Sequence, residues 1–131
     1  MINNNSKIIC SDLDGTLFNN NHKFSFFTKY VLKQIVKDDV FLIINSGRVL
    51  KSLIHVSKKL NTIINNVFLV ANNGTTIYSC KLQKILQEFL FQKKDVIEIF
   101  YYLNKKKFYL DFLFFSNNNI FVSQQNFISK L

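Results

Sequence analysis

The residues best placed to do chemistry are Asp12-Leu13-Asp14-Gly15-Thr16. Two carboxylates stand two residues apart, directly behind the largely apolar run Lys7-Ile8-Ile9-Cys10-Ser11. That run reads as a short buried strand, so the acids fall where strand gives way to loop. Like charges held close repel, and one of the two pKa values is expected to rise. Such a pair suits a nucleophile beside an acid/base, with a cation offsetting the charge. Gly15 lets the backbone turn tightly and approach a ligand. Thr16 adds a hydroxyl aimed back at the same place. A plain Asx-type surface turn uses similar residues, but the position behind an apolar strand favours chemistry.

A second constellation follows Val40-Phe41-Leu42-Ile43-Ile44, an unbroken apolar run that reads as a central parallel strand buried on both faces. Behind it come Asn45-Ser46-Gly47-Arg48 and then a helix, opening at Gly47, with Val49, Leu53, Val56 and Leu60 on one stripe. A hydroxyl and free backbone N–H groups at a helix start make an anion site. A serine cap without ligand is the alternative. The acidic turn lies one β-α unit earlier, and the carboxyl ends of neighbouring parallel strands face one crevice, which favours the anion site.

The elements that must position these groups follow from the same patterns. Ser25 is a plausible N-cap, ahead of a helix with Phe27, Tyr30, Val31 and Ile35 on one face and Asp38-Asp39 at its end. Val67-Phe68-Leu69-Val70-Ala71 reads as a third buried strand, followed by Asn72-Asn73-Gly74. Thr76-Ile77-Tyr78 and Ile85-Leu86 form a hairpin. From about Gln87 the texture changes. Val96, Ile99, Phe100 and Leu103 mark an amphipathic helix with a Lys-rich end, a favourable place for cations. A strand over 108–115 turns at Ser116-Asn117-Asn118-Asn119 into Ile120-Phe121-Val122, and a short helix starts near Gln124. His22, in an Asn-rich turn, and His55, inside a helix, read as surface or packing residues.

Composition narrows the classes. The chain has 131 residues, 48% of them hydrophobic, with 15 Phe, 5 Tyr and no Trp, which excludes a disordered chain. The net charge is +9, but the lysines are scattered and Arg48 is the single arginine, so a solvated basic surface fits better than a specific nucleic-acid site. Cys10 and Cys80 lack metal-ligand spacing and fit reduced thiols in a cytoplasmic protein. No apolar run reaches membrane-spanning length.

Asp12-Leu13-Asp14-Gly15-Thr16-Leu17 resembles the first motif of the haloacid dehalogenase-like (HAD) phosphatases. Ser46-Gly47-Arg48 is similar to the second, usually Thr-Gly-Arg. Asn73-Gly74 is similar to the Asn-Gly that opens the hairpin of the Cof-type members. The resemblance implies an α/β fold: a HAD-like, Rossmann-type three-layer core with a parallel sheet, incomplete here, plus the start of an α+β cap. It places an N-terminal part of the core at residues 1–86 and the beginning of the cap at 87–131. It implies that Asp12 is the nucleophile and that Asp14 is the acid/base. Thr16, Ser46, Gly47 and Arg48 would hold the phosphoryl group, with Asn73 and Gly74 on the substrate side. Mg²⁺ would bind the Asp12 carboxylate and the Asp14 carbonyl, hard oxygen ligands that suit it. The substrate would be a small phosphorylated metabolite, with no membrane and no specific nucleic acid as partner.

The resemblance also implies what is missing. Family members are roughly twice as long, the size of a domain pair. They carry a third motif, a Lys, and a fourth, a Gly-Asp-x-x-x-Asp cluster, and neither is found here; the last acid is Asp111. The first strand would have one unpaired edge, and Phe112 and Phe114 would lie on poorly covered faces. A second chain carrying the missing half is one expectation. An inactive remnant and a small basic binding module are the alternatives.

Overall fold

The computed structural model describes residues 6–35, 40–61, 66–105, 113–116 and 119–122. The chain divides into two compact units, Met1–Glu88 and Phe89–Leu131.

In the first unit, β1 (Lys7–Asp12), α1 (Phe26–Ile35), β2 (Val40–Asn45), α2 (Leu50–Asn61) and β3 (Val67–Ala71) alternate, and β4 (Thr76–Ser79) and β5 (Lys84–Glu88) follow. The sheet order is β1-β2-β3-β4-β5. β1 pairs in parallel with β2 and β2 with β3, which requires long crossovers; α1 and α2 supply them. β3, β4 and β5 pair antiparallel. The β4–β5 turn is closed by Leu82 N–H donating to Ser79 Oγ at 3.2 Å.

One core holds this unit together. Leu32 of α1 and Leu50, Leu53, Val56 and Leu60 of α2 bury against Leu42 and Ile44 of β2 and against Val67, Leu69 and Ala71 of β3. Both helices therefore cover the same face, as right-handed crossovers toward one side of a sheet require. The α/β class and the parallel strands behind the two motifs are as expected.

Several expectations need correction. β2 and β3 are not buried on both faces: their residues alternate between buried and half-buried, because only one face lies under the helices. β1 is not buried: among the described residues it lies at one end of the strand order and pairs with β2 alone. In α1 the core contacts come from Leu32 and Ile35, whereas Phe27 and Tyr30 are exposed. The helix sits rotated so that its aliphatic side fills the interior. Ser25 caps it as expected, its Oγ accepting from Thr28 N–H at 2.9 Å. On α2 the core stripe is Leu50, Leu53, Val56 and Leu60. Val49 precedes the helix and its carbonyl accepts from Ser52 and Leu53 N–H at 3.0 and 3.3 Å. His55 is exposed.

The second unit contains α3 (Lys93–Lys105) and an antiparallel hairpin of β6 (Leu113–Ser116) and β7 (Asn119–Val122). Val96 and Leu103 are half-buried on α3, and Lys105 stands in its last turn. The expectations for Asp38-Asp39, Phe108 to Phe112, Asn117-Asn118 and the helix near Gln124 lie outside the described residues, as does the side-chain environment of Phe114. Among the described residues no helix is long and apolar enough to cross a membrane.

Candidate active site

The strand register brings the motifs together. Asp12, the last residue of β1, pairs with Asn45, the last residue of β2, and Asn45 pairs with Val70 of β3. The loops that follow all leave the same edge of the sheet. Ser46 N–H donates to Val70 O at 3.0 Å, and Asn72 N–H to Arg48 O at 3.0 Å. These bonds staple the second loop to the third.

Behind Asp12 the chain makes one wide turn over 13–17. Leu13 is fully buried and anchors it, and Phe18 N–H closes it on Leu13 O at 2.8 Å. Gly15 sits at φ +79°, where an L side chain is strained, although an added Cβ would meet no atom within 4 Å. Thr16 is exposed on this turn. A small hairpin follows, bridged between Phe18 and Phe24. Their buried rings meet edge-on at 4.7 Å. Its tip is held by Asn19, whose Oδ1 accepts from Asn21 and Lys23 N–H at 3.1 and 3.0 Å.

The second loop reaches across to the first. Arg48 Nε donates to Asp14 Oδ2 at 2.8 Å, and Nη2 to Oδ1 at 2.6 Å. The guanidinium lies 5.8 Å from the centre of the Phe18 ring. His22 Nδ1 stands 3.4 Å from Asp14 Oδ1. The hydrogen bond from Arg48 is the main reason the Asp14 carboxyl is held below the ordinary 3.8. Partial desolvation opposes it, and the charges of Arg48 and His22 add to it. The expected rise in one member of the acidic pair is thus reversed at Asp14, because a cation rather than the other acid is its nearest neighbour.

Ser46 is buried, and its Oγ accepts from Arg48 N–H at 3.2 Å. The helix starts at Leu50, not at Gly47, so Ser46-Gly47-Arg48 is a loop ahead of it. Its backbone donors are loop amides rather than helix-end amides. Asn73 comes close to this loop: a Cβ on Gly47 would sit 2.7 Å from Asn73 Oδ1. Asn72, Asn73 and Gly74 have φ of 52°, 56° and 98°, a left-handed run that turns the chain back into β4. Asn72 Nδ2 donates to Thr76 Oγ1 at 3.0 Å, while its Oδ1 is buried without a partner among the described residues. Gly74 serves this turn; nothing lies within 4 Å of where its Cβ would be.

Asp12, Asp14, Ser46, Gly47, Arg48 and Asn73 thus share one end of the sheet. Sequence reasoning passed over His22 and the ring of Phe18. The signal for His22 was Asn19, an Asx-turn former at the hairpin tip, and only the turn's geometry brings the imidazole back to Asp14.

Among the described residues, the acidic turn offers a hard cation two groups, the Asp12 carboxylate and the Asp14 carbonyl. Asp12 is exposed at its strand end and its carboxylate has no hydrogen-bond partner among the described residues. The Asp14 carboxylate is occupied by Arg48, which leaves its backbone carbonyl. Among the described residues no three His, Cys, Asp or Glu gather as a metal cage. Mg²⁺ does not require one, since it keeps several waters and uses one or two carboxylates with a substrate phosphate. The residues present fit that ion.

A family model of haloacid dehalogenase-like hydrolases matches residues 9–131. A Buchnera aphidicola (subsp. Baizongia pistaciae) protein with a provisional phosphatase name is 32% identical over 122 residues, covering 92% of this chain and 43% of that relative. A haloacid dehalogenase-like hydrolase from B. subtilis superposes with a TM-score of 0.70 at 24% identity, covering 92% of this chain and 40% of the other. A HAD subclass IIB sugar phosphatase superposes with a TM-score of 0.70 at 20% identity, covering 95% and 46%. The chain spans less than half the length of each of these proteins.

Proposed function

Because the chain belongs to the haloacid dehalogenase-like hydrolases, we propose that its strand-end site cleaves phosphate monoesters of small metabolites through an aspartyl-phosphate on Asp12, in the manner of the Cof-type phosphatases. One observation supports this above the others. Among the described residues, the carboxylate that ends β1 has no hydrogen-bond partner, while the neighbouring carboxylate is gripped by the arginine of the second loop. On this reading the first carboxylate is the nucleophile, and the loop that follows the neighbouring strand end supplies the phosphate donors.

An Asp12 carboxylate oxygen attacks phosphorus, and its new O–P bond forms as the ester P–O bond breaks. Asp14 passes a proton to the leaving oxygen. Water then attacks the acyl phosphate, Asp14 takes the proton, and inorganic phosphate leaves with Asp12 restored. Ser46 Oγ and the Gly47 amide hold the phosphoryl oxygens, with the Arg48 side chain and the Thr16 hydroxyl beside them. When bound, Mg²⁺ supplies charge neutralisation at the phosphoryl group, held by the Asp12 carboxylate and the Asp14 carbonyl.

In the arrangement seen, the hydrogen bond from Arg48 lowers the Asp14 pKa and so opposes proton donation. An arriving phosphoryl dianion competes for the guanidinium and removes that opposition. Asn73 and Gly74 lie toward the substrate side. On this reading the second unit is the start of the cap, which in the family chooses the substrate.

The test is Mg²⁺-dependent phosphate release from a panel of sugar phosphates and p-nitrophenyl phosphate. We expect slow release by this chain alone, with Asp12→Asn lower by about tenfold or more. Release at an unchanged rate in Asp12→Asn would overturn the reading.

A further inference from the structure

The hairpin of β4 and β5 carries an irregularity that brings an acid to the third loop. Counting on from Ser79↔Lys84 and Tyr78↔Ile85, Thr76 would lie opposite Gln87. The register shifts between Ile77 and Tyr78, so Thr76 lies opposite Glu88 instead. The extra residue is Leu86, in a β-bulge, a device that re-aims side chains beside functional sites. Thr76 is 1% exposed, and its hydroxyl donates to Glu88 Oε1 at 3.4 Å. A carboxylate only accepts, so the Thr76 oxygen is left to accept in turn, and it does so from Asn72 Nδ2 at 3.0 Å. That fixes which way round the Asn72 amide stands. Its Oδ1 is left buried with no partner among the described residues. An unpaired buried oxygen costs stability, so the amide is turned for the sake of its nitrogen.

Asn72 is also the foot of the loop at the candidate site. Its φ of 52° and the 56° of Asn73 are a strained pair that persists only where surrounding contacts enforce it. Among the described residues, one such contact is the amide bond to Thr76. The Asn72 carbonyl accepts from Thr75 N–H at 3.4 Å and from Thr75 Oγ1 at 3.1 Å. Asn72 N–H donates to Arg48 O at 3.0 Å, which joins this turn to Ser46-Gly47-Arg48. In the same turn Asn73 stands against Gly47. Glu88, Thr76, Asn72 and the Arg48 carbonyl thus form one chain of hydrogen bonds, from β5 to the loop that grips Asp14. Linked bonds of this kind polarise one another and act as a unit.

We propose that Thr76 and Glu88 are positioning residues for the candidate site. Glu88 orients the Thr76 hydroxyl, Thr76 holds the Asn72 amide, and Asn72 holds the loop of Ser46, Gly47 and Arg48 in the shape that receives a phosphoryl group. Both residues act through Asn72 rather than on a substrate. What the loop receives rests on the phosphatase reading; that the relay holds the loop does not. The alternative is a plain structural pairing of β4 with β5, and Ser79 separates the two. Ser79 is buried on β4 as Thr76 is, but its Oγ accepts from Leu82 N–H at 3.2 Å, at the far turn of the hairpin.

The test reads the loop by NMR hydrogen exchange in the 131-residue chain. Two signals serve: the Asn72 amide, and the Nε–H of Arg48, the single arginine of the sequence. Thr76→Val keeps the shape and removes the hydroxyl; it should speed both exchanges by about tenfold or more. Glu88→Ala, at an exposed position, should speed them by about threefold or more. Thr76→Ser keeps the hydroxyl and Glu88→Gln keeps an acceptor, so both should stay within about twofold of wild type. Ser79→Ala should loosen the far turn and leave the two signals within about twofold. The proposal is overturned if Thr76→Val and Glu88→Ala leave both signals unchanged, or if Thr76→Ser and Glu88→Gln move them as far. It is overturned too if Ser79→Ala moves them as far as Thr76→Val does. Should Thr76→Val not fold, Glu88→Ala against Glu88→Gln decides alone. Calorimetry with inorganic phosphate and Mg²⁺ then separates the relay from the phosphatase reading, on which Thr76→Val weakens phosphate binding by about threefold or more. Exchange that changes as expected, with phosphate affinity unchanged, supports the relay and counts against the phosphate site.

Discussion

Arg48 holds Asp14 by both carboxylate oxygens, Nε to Oδ2 at 2.8 Å and Nη2 to Oδ1 at 2.6 Å, although 34 residues separate them in sequence. This fork joins the first and second motifs. It is geometry that lysine, a point charge, cannot reproduce.

The fork has a titration signature. Asp14 is held below the ordinary carboxylate value of 3.8, chiefly by the Arg48 hydrogen bond. A depressed folded-state pKa contributes stability above the unfolded value and loses it as pH falls through the folded one. Carboxyl-carbon NMR should place the Asp14 midpoint below 3.8, and Arg48→Ala should move it upward. The stability loss in Arg48→Ala should be at most about 1 kcal/mol, because both side chains are about one-third exposed. It should be constant between roughly pH 5 and 8, where Asp14 is ionised in both states.

The role proposed for Asp12 is separable from the fold. It is exposed and its carboxylate has no partner among the described residues. Asp12→Asn should leave the urea midpoint within about 0.5 kcal/mol of wild type. Mg²⁺ binding by calorimetry should fall below detection in the same variant. An unchanged Mg²⁺ isotherm would remove Asp12 from the metal site.

Gly47 is required for space rather than for its backbone angle. A methyl there would meet Asn73 Oδ1 at 2.7 Å. Gly47→Ala should cost about 1 kcal/mol, the low end for overpacking, because a side-chain tip can move aside. Asn73→Ala in the same chain should recover most of that loss. Additive thermal shifts in the double variant would show that the two positions do not touch.

The first unit depends on its one covered face. Leu53 is fully buried at the centre of that core. Leu53→Ala should lower stability by about 2–5 kcal/mol in urea titration, through lost transfer energy and the cavity left behind. Ile8→Ala, on β1, should change it by less than about 1 kcal/mol, since its side chain is 59% exposed.

His22 shows where sequence reasoning stopped. Its φ is 52°, a conformation that costs a β-carbon residue energy and that only the closed hairpin enforces. Among the described residues, the turn is made by the Asn19 side chain, the backbone bonds from Asn19 N–H to Lys23 O and from His22 N–H to Asn19 O, the Phe18–Phe24 bridge and the buried Phe18 ring. Each joins residues close in sequence. Their combined direction, back toward Asp14, is a property of three dimensions.

The sequence by itself determined the local elements and their chemistry. Apolar runs of strand length, a serine ahead of a helix and an acidic turn with glycine were all readable, because each depends on neighbours within a few residues. It also placed the acidic turn and the Ser-Gly-Arg loop at successive strand ends, since parallel β-α units repeat in one direction. Only the tertiary structure decided that Arg48 binds Asp14 and lowers its pKa, that α1 turns Leu32 rather than Phe27 inward, and that β1 is largely exposed among the described residues. Apolar composition records that a strand is meant to be covered. Whether anything covers it depends on which segments lie beside it and over its faces, and no pattern within the strand carries that information.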